Sequence, residues 1–247
     1  MKNLILGFGV LVASKAAFAI ESVTLKTSRG TEVSVTLHLP EGSDLPAVVV
    51  APGQSCNSKG PLFETLGNSG ANEEVAVVRF EWSYCNSKPA QPMPSDDLKN
   101  EIEDFETVLA YAKAHSAIDE NKIVLAGKSL GSIVAYAVFA KEPNAKGALL
   151  LTPVCSQPHS VCEQNYPKLK EDSRPVLMAL GNKDSLCLLP VLFDYLKDSK
   201  GNISTVVAGG DHGFRVRDAA GAMDPEKTQK NINSVVTASL NWLALSL

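Results

Sequence analysis

The chain has 247 residues, 27 of them acidic and 23 basic, with a formal charge of −4 and 45% hydrophobic side chains. That composition is ordinary for a folded globular chain and excludes a disordered one. It also argues against non-specific nucleic-acid binding, which needs lysine and arginine to neutralise phosphates.

The first nineteen residues read as an address rather than as fold. Lys2 precedes an apolar run at 4–12, and Ala17-Phe18-Ala19 offers the small-x-small pattern of a signal peptidase site. Nine apolar residues cannot span a hydrocarbon core about 30 Å thick, which takes roughly 20 helical residues. Cleavage after Ala19 predicts a signal segment at 1–19 and a single mature domain at 20–247, 228 residues long. Loss of Lys2 and Lys15 then moves the formal charge from −4 to −6. No later stretch is long and apolar enough for a membrane span, so the expectation is an exported protein, periplasmic or extracellular.

The mature chain opens with a predicted hairpin at 21–39. Val33, Val35 and Leu37 alternate with Ser34, Thr36 and His38, and the turn falls at Arg29-Gly30. The alternation places His38 on the outward, solvent face. Continuous apolar runs follow at 47–51, 75–80, 122–127, 148–151, 175–180 and 204–209, the pattern of parallel strands buried on both faces. Helical periodicity fills the gaps. Leu98, Ile102, Phe105, Leu109 and Ala112 share one helix face, with Ser95 as the expected N-cap. The last helix starts at Asp224-Pro225, a cap followed by proline at the first helical position, and carries Ile232, Val235, Val236, Leu240 and Leu243 on one side. Two antiparallel strands and six strand–helix units make an α/β, mostly parallel sheet covered by helices.

Ligands of such sheets bind beyond the carboxyl ends of the strands, so the loops starting at Pro52, Trp82, Gly127, Thr152, Gly181 and Gly210 matter most. Gly127-Lys128-Ser129-Leu130-Gly131 stands between a buried strand and a helix rich in small residues. G-x-S-x-G arises by chance in roughly one chain in twelve of this length, so the position carries the argument and the pattern alone does not. A strand-to-helix turn this sharp strains its central residue and requires small neighbours, leaving the Ser129 hydroxyl exposed above the sheet. A serine hydroxyl needs a base. Of the four histidines, His38 and His115 read as surface residues, and His159 sits in a polar loop after the sixth strand. His212, in Gly209-Gly210-Asp211-His212-Gly213-Phe214 after the last strand, is placed to present an imidazole over the sheet edge. Asp184, just beyond the strand at 175–180, is preferred over the adjacent Asp211 to orient that imidazole, because consecutive side chains point apart. The negative oxygen of a tetrahedral intermediate needs two donors. The candidates are the N–H of Leu130 and that of Gln54, in a Pro52-Gly53-Gln54-Ser55 loop whose turn Gly53 is expected to permit.

The hairpin, Pro52-Gly53-Gln54-Ser55, Arg79-Phe80-Glu81-Trp82, Gly127 to Ser132, Leu180-Gly181-Asn182-Lys183-Asp184 and Gly210 to Phe214, in this order, resemble the α/β-hydrolase superfamily. More narrowly they resemble its small dienelactone-hydrolase-like branch, over almost the whole mature chain. The resemblance implies the α/β-hydrolase fold: a mostly parallel eight-stranded sheet with an N-terminal antiparallel hairpin and helices on both faces. It also implies a Ser129–Asp184–His212 triad and acyl hydrolysis through a covalent acyl-enzyme. Pro52-Gly53 stands where many relatives carry His-Gly, and serine where dienelactone hydrolases proper carry cysteine, so that specific reaction is not implied. Five cysteines survive into the mature chain: Cys56, Cys85, Cys155, Cys162 and Cys187. The family's strand order brings Cys56 near Cys85 and favours one pair among Cys155, Cys162 and Cys187, with Cys155 or Cys162 paired to Cys187 as the expected form.

Neither 153–174, long enough for a short cap, nor the polar loop 83–95 is apolar enough for a lipase-type lid. An open site for small or short-acyl esters is the expectation. A peptidase, amidase or acyltransferase would use the same triad, and a non-catalytic binding protein of this fold is a third reading. The cysteines and histidines fit no zinc pattern, no phosphate-binding glycine loop is present, and no cofactor is expected. The expected partner is a small-molecule ester.

Overall fold

The computed structural model describes residues 18–86, 93–158 and 160–247. The expected signal segment lies outside these up to residue 17, as do His159 and residues 87–92. Strands β1 (Phe18–Lys26) and β2 (Glu32–Pro40) form the hairpin, and β3 (Leu45–Ala51), β4 (Ala76–Glu81), β5 (Ile118–Lys128), β6 (Gly147–Leu151), β7 (Val176–Gly181) and β8 (Ile203–Ala208) complete the sheet. Helices α1 (Pro61–Asn72), α2 (Ser83–Asn86), α3 (Lys99–Ala114), α4 (Leu130–Phe139), α5 (Ser160–Asn165), α6 (Leu189–Leu196) and α7 (Pro225–Ser246) connect and cover it. The order across the eight-stranded sheet is β1-β2-β4-β3-β5-β6-β7-β8. β1 is antiparallel to β2 and β2 to β4, and the pairs from β4 to β8 are parallel. Phe18 and Ala19 already pair with Pro40 and Leu39, ahead of the expected cleavage point.

The continuous apolar runs resolve into two alternating sets. Ala47, Val49 and Ala51 face a core with Phe105, Val108, Val134 and Phe139 of α3 and α4. Val48 and Val50 face the opposite core, with Leu62, Phe63 and Leu66 of α1 and Val235, Val236 and Leu243 of α7. Burial on both faces is why these strands show no polar alternation in the sequence. β8 is the exception: it ends the sheet, and its Val207 is exposed. α7 begins as expected, with Asp224 Oδ1 accepting the Lys227 N–H at 3.0 Å ahead of Pro225. α3 differs from the expectation. Leu98, with φ +55°, occupies the N-cap position, and Ser95 sits further back, its hydroxyl donating to Glu101 at 2.6 Å and accepting the Asn100 N–H at 3.3 Å.

The hairpin's outward face meets solvent at Ser34 but not at His38. His38 is fully buried, because α1 lies across it and Gly67 leaves room for the ring; a Cβ at 67 would fall 2.6 Å from His38 Nε2. Arg79 Nε donates to that nitrogen at 2.9 Å, Arg79 Nη1 to the Ser58 carbonyl at 2.7 Å, and Arg79 Nη2 pairs with Glu64 at 2.7 Å. Surface placement of His38 is therefore corrected: strict alternation does not reveal that a helix covers the second face of an inner strand. Burial first, and then the Arg79 charge, push the imidazole below its ordinary 6.5. As pH falls through 6.5 the unfolded chain takes up this proton before the folded one, so stability held above that pH declines below it. His38→Gln keeps an acceptor for Arg79 and removes the titration. Between pH 7 and pH 5 its Tm is expected to fall by less than that of the parent; parallel curves would contradict this origin.

Candidate active site

The site is built where β5 turns into α4. Ser129 has φ +55° and ψ −122°, a conformation that L-residues rarely adopt. Its N–H donates to the Leu151 carbonyl at 2.9 Å and its carbonyl accepts the Ser132 N–H at 2.9 Å, which pins the turn between β6 and α4. The flanking glycines are required by contact. A Cβ at Gly127 would lie 1.9 Å from the Gly131 carbonyl oxygen, and one at Gly131 would lie 2.3 Å from that of Pro52. Both obstacles are backbone and cannot rotate away. Gly131→Ala is accordingly expected to lose about 3 kcal/mol of stability, read as a lower urea midpoint; an unchanged midpoint would contradict the steric account.

The structure brings together the three residues singled out above this turn. His212 Nε2 lies 2.8 Å from Ser129 Oγ, and its Nδ1 lies 2.9 Å from both Asp184 oxygens. An ionised carboxylate only accepts, so Nδ1 carries the proton and Nε2 is left to accept from the serine. Asp184 is buried, and its Oδ1 also accepts the N–H groups of Leu186 at 2.8 Å and Cys187 at 3.2 Å. Asp211 is held elsewhere: its Oδ1 accepts from the Gly213 and Arg215 N–H groups at 2.8 and 3.1 Å, and Arg215 Nε pairs with it. It shapes the loop that carries His212. Two asparagines fix the same loop, Asn182 Oδ1 accepting the Gly210 N–H at 3.0 Å and Asn231 Nδ2 donating to the Gly209 carbonyl at 2.8 Å.

The loop after β3 is braced by the loop after β4. Trp82 Nε1 donates to the Gly53 carbonyl at 3.2 Å, the Tyr84 hydroxyl to that of Gln54 at 2.9 Å, and Cys56 is joined to Cys85. Closing that 29-residue separation contributes about 3–4 kcal/mol in the loop-entropy model. In a trans peptide the N–H points opposite to the preceding carbonyl, so anchoring the Gly53 carbonyl on Trp82 turns the Gln54 N–H away from Trp82. Gly53 is not itself a sterically required turn residue: a Cβ there would meet Ser129 Cβ at 3.5 Å, an ordinary contact, and the left-handed residue of this loop is Cys56, with φ +54°. Among the described residues the N–H groups of Leu130 and Gln54 have no protein acceptor.

The second cysteine pair differs from the expectation. Cys155 is joined to Cys162, not to Cys187, because the first turn of α5 brings Cys162 back over a residue only seven positions away. Cys187 stays a buried thiol, bridged to Cys155 through the backbone, and burial pushes it up to about 12. Segment 153–174 is not a cap. Cys162, Tyr166 and Leu169 point into the core, and the Tyr166 hydroxyl meets Ser132 Oγ and the Val154 N–H, each at 2.8 Å.

A cleft of about 540 Å³ opens beside His212 between α1 and α7, with Leu62, Phe63, Ile232, Lys128 and Arg215 on its walls. Burial, joined by the Arg215 charge, lowers the Lys128 ammonium to about 8 against the opposing pull of Asp184 and Asp211. Trp82, Tyr84, Asn182, Asn231 and Lys128 went unread in the sequence. Of these Trp82, Asn182 and Lys128 stand within loops or motifs that the sequence singles out, whereas Tyr84 and Asn231 carry no signal.

Among the described residues no helix is long and apolar enough to cross a membrane. A family model described as an alpha/beta hydrolase domain matches residues 44–244. The quorum-quenching protein AidA of Acinetobacter baumannii strain MDR-ZJ06 is 34% identical over 81 residues, which are 33% of this chain and 27% of that protein. The chain thus matches only about a quarter of that relative's length. The solved structure of DcsB in complex with its substrate analogue superposes with a TM-score of 0.71 at 15% identity, covering 93% of this chain and 100% of that one. An alpha-beta serine hydrolase homologue from Coxiella burnetii gives 0.67 at 16% identity, covering 88% and 96%. The likeness to both structures is one of fold. With its sheet order, its glycine-flanked serine turn and a family match over 44–244, the chain belongs to the α/β-hydrolase superfamily.

Proposed function

We propose that this protein is an exported serine hydrolase that cleaves small or short-acyl carboxylic esters through an acyl-enzyme on Ser129. The observation that carries the reading is the unbroken chain of short contacts from Ser129 Oγ through His212 to buried Asp184. His212 Nε2 takes the hydroxyl proton as Oγ attacks the acyl carbon. The N–H groups of Leu130 and Gln54 receive the negative oxygen, and loss of one such donor is worth about 10²–10³ in kcat. Collapse breaks the C–O bond, and His212 returns the proton to the departing alcohol. Water then repeats the sequence on the acyl-enzyme, its proton passing through His212 back to Ser129.

The size of the cleft supports small substrates, as do Cys162, Tyr166 and Leu169, which turn into the core rather than over the site. Two disulfides and the tripartite N-terminus support export. The quorum-quenching role named for the Acinetobacter relative stays with that protein, given the short match. A panel of p-nitrophenyl esters from acetate to palmitate, beside p-nitroanilides and triglyceride emulsions, tests the reading. Turnover is expected to be highest for acetate to hexanoate. Good hydrolysis of emulsified long-chain triglyceride with none of the short esters would overturn it.

A further inference from the structure

Lys128 takes no part in the proton path, yet it lines the cleft that opens beside His212. It directly precedes Ser129 and lines one cleft with His212 and the apolar Leu62, Phe63 and Ile232. Four charged or titratable groups approach it: Asp184 from the loop after β7, and Asp211, His212 and Arg215 from the loop after β8. The two carboxylates are already committed, Asp184 to His212 and two backbone N–H groups, Asp211 to Arg215. Among the described residues Lys128 Nζ makes no hydrogen bond or ion pair. A cation half withdrawn from water and without a protein partner gains from an anion that enters the cleft.

Building on the esterase reading, we propose that Lys128 is a specificity-determining residue that binds a carboxylate carried by the ester substrate in the cleft between α1 and α7. Arg215, tied to Asp211 at the same wall, adds positive potential without giving up its own partner. The protein thus selects acidic esters although its overall charge is negative. Because Lys128 titrates near 8, the preference holds below that pH and fades as the ammonium loses its proton above it.

The test compares two matched pairs: mono-p-nitrophenyl adipate with p-nitrophenyl hexanoate, and 4-acetoxybenzoate with 4-methylphenyl acetate. They place the carboxylate on the acyl and on the alcohol side respectively. In at least one pair Lys128→Met is expected to lower the charged-to-neutral ratio of kcat/KM roughly ten- to hundredfold, the weight of a charge-assisted hydrogen bond, mainly through KM. The parent's ratio falls between pH 7 and pH 9, whereas Lys128→Arg, protonated throughout, holds its ratio across that range. Calorimetry of adipate monoamide binding to Ser129→Ala, with and without Lys128→Met, reads the same contact without turnover. Ratios indifferent to Lys128→Met in both pairs overturn the proposal while leaving the esterase reading standing. Failure of every ester overturns the esterase reading, and the calorimetry then still decides whether Lys128 binds the carboxylate.

Discussion

Ser129→Ala is expected to lower kcat against p-nitrophenyl butyrate by about 10⁴–10⁶, the scale on which removal of a serine nucleophile acts in unrelated serine hydrolases. The substitution removes one oxygen. The positive φ at 129, both glycine contacts and the Ser129 backbone bonds to Leu151 and Ser132 do not depend on the hydroxyl. The variant should therefore fold, and its circular dichroism and urea midpoint should match the parent's. What remains is hydrolysis by water at a site that still positions the ester and still offers backbone donors to its oxyanion. A loss smaller than tenfold, in a folded variant, would place the nucleophile elsewhere.

Asp184→Asn should lose about 10⁴ in kcat with little change in KM, and the reason lies in which oxygen is already occupied. Oδ1 holds the N–H groups of Leu186 and Cys187, so an asparagine keeps its carbonyl oxygen there. Its NH2 group then takes the place of Oδ2, 2.9 Å from His212 Nδ1. Oδ1, also 2.9 Å from Nδ1, is already shared by two N–H groups, so the NH2 donor favours the other tautomer, in which Nε2 carries the proton and cannot accept one from Ser129. Raising the pH does not repair a wrong tautomer, so the loss should persist from pH 6 to pH 9. Asp211→Asn disturbs only the loop's internal bonds and should cost far less. A deficit no larger than that of Asp211→Asn would contradict the assignment.

The site was legible in the sequence to the extent that its chemistry is local. Gly127, Ser129 and Gly131 sit within five residues, and the requirement for small flanks is a property of the turn itself. Asp184 and His212 were readable because a parallel sheet delivers every strand's carboxyl end to the same edge. The misses share a different cause. His38 looked outward because alternation along a strand is silent about a helix crossing the other face. Cys155–Cys162 was missed because strand order speaks of neighbouring loops and says nothing of a helical turn folding a loop back on itself. The braces from Trp82 and Tyr84 are side-chain-to-carbonyl bonds between loops 29 and 30 residues apart, and no local pattern announces them.

Treating the folded protein with a fluorophosphonate and locating the adduct by peptide mass spectrometry reads whether Ser129 is an activated nucleophile. One adduct is expected, on Ser129, lost on prior denaturation and absent from both Ser129→Ala and His212→Ala. A folded parent that takes up no label, or takes it up on another residue, would contradict it.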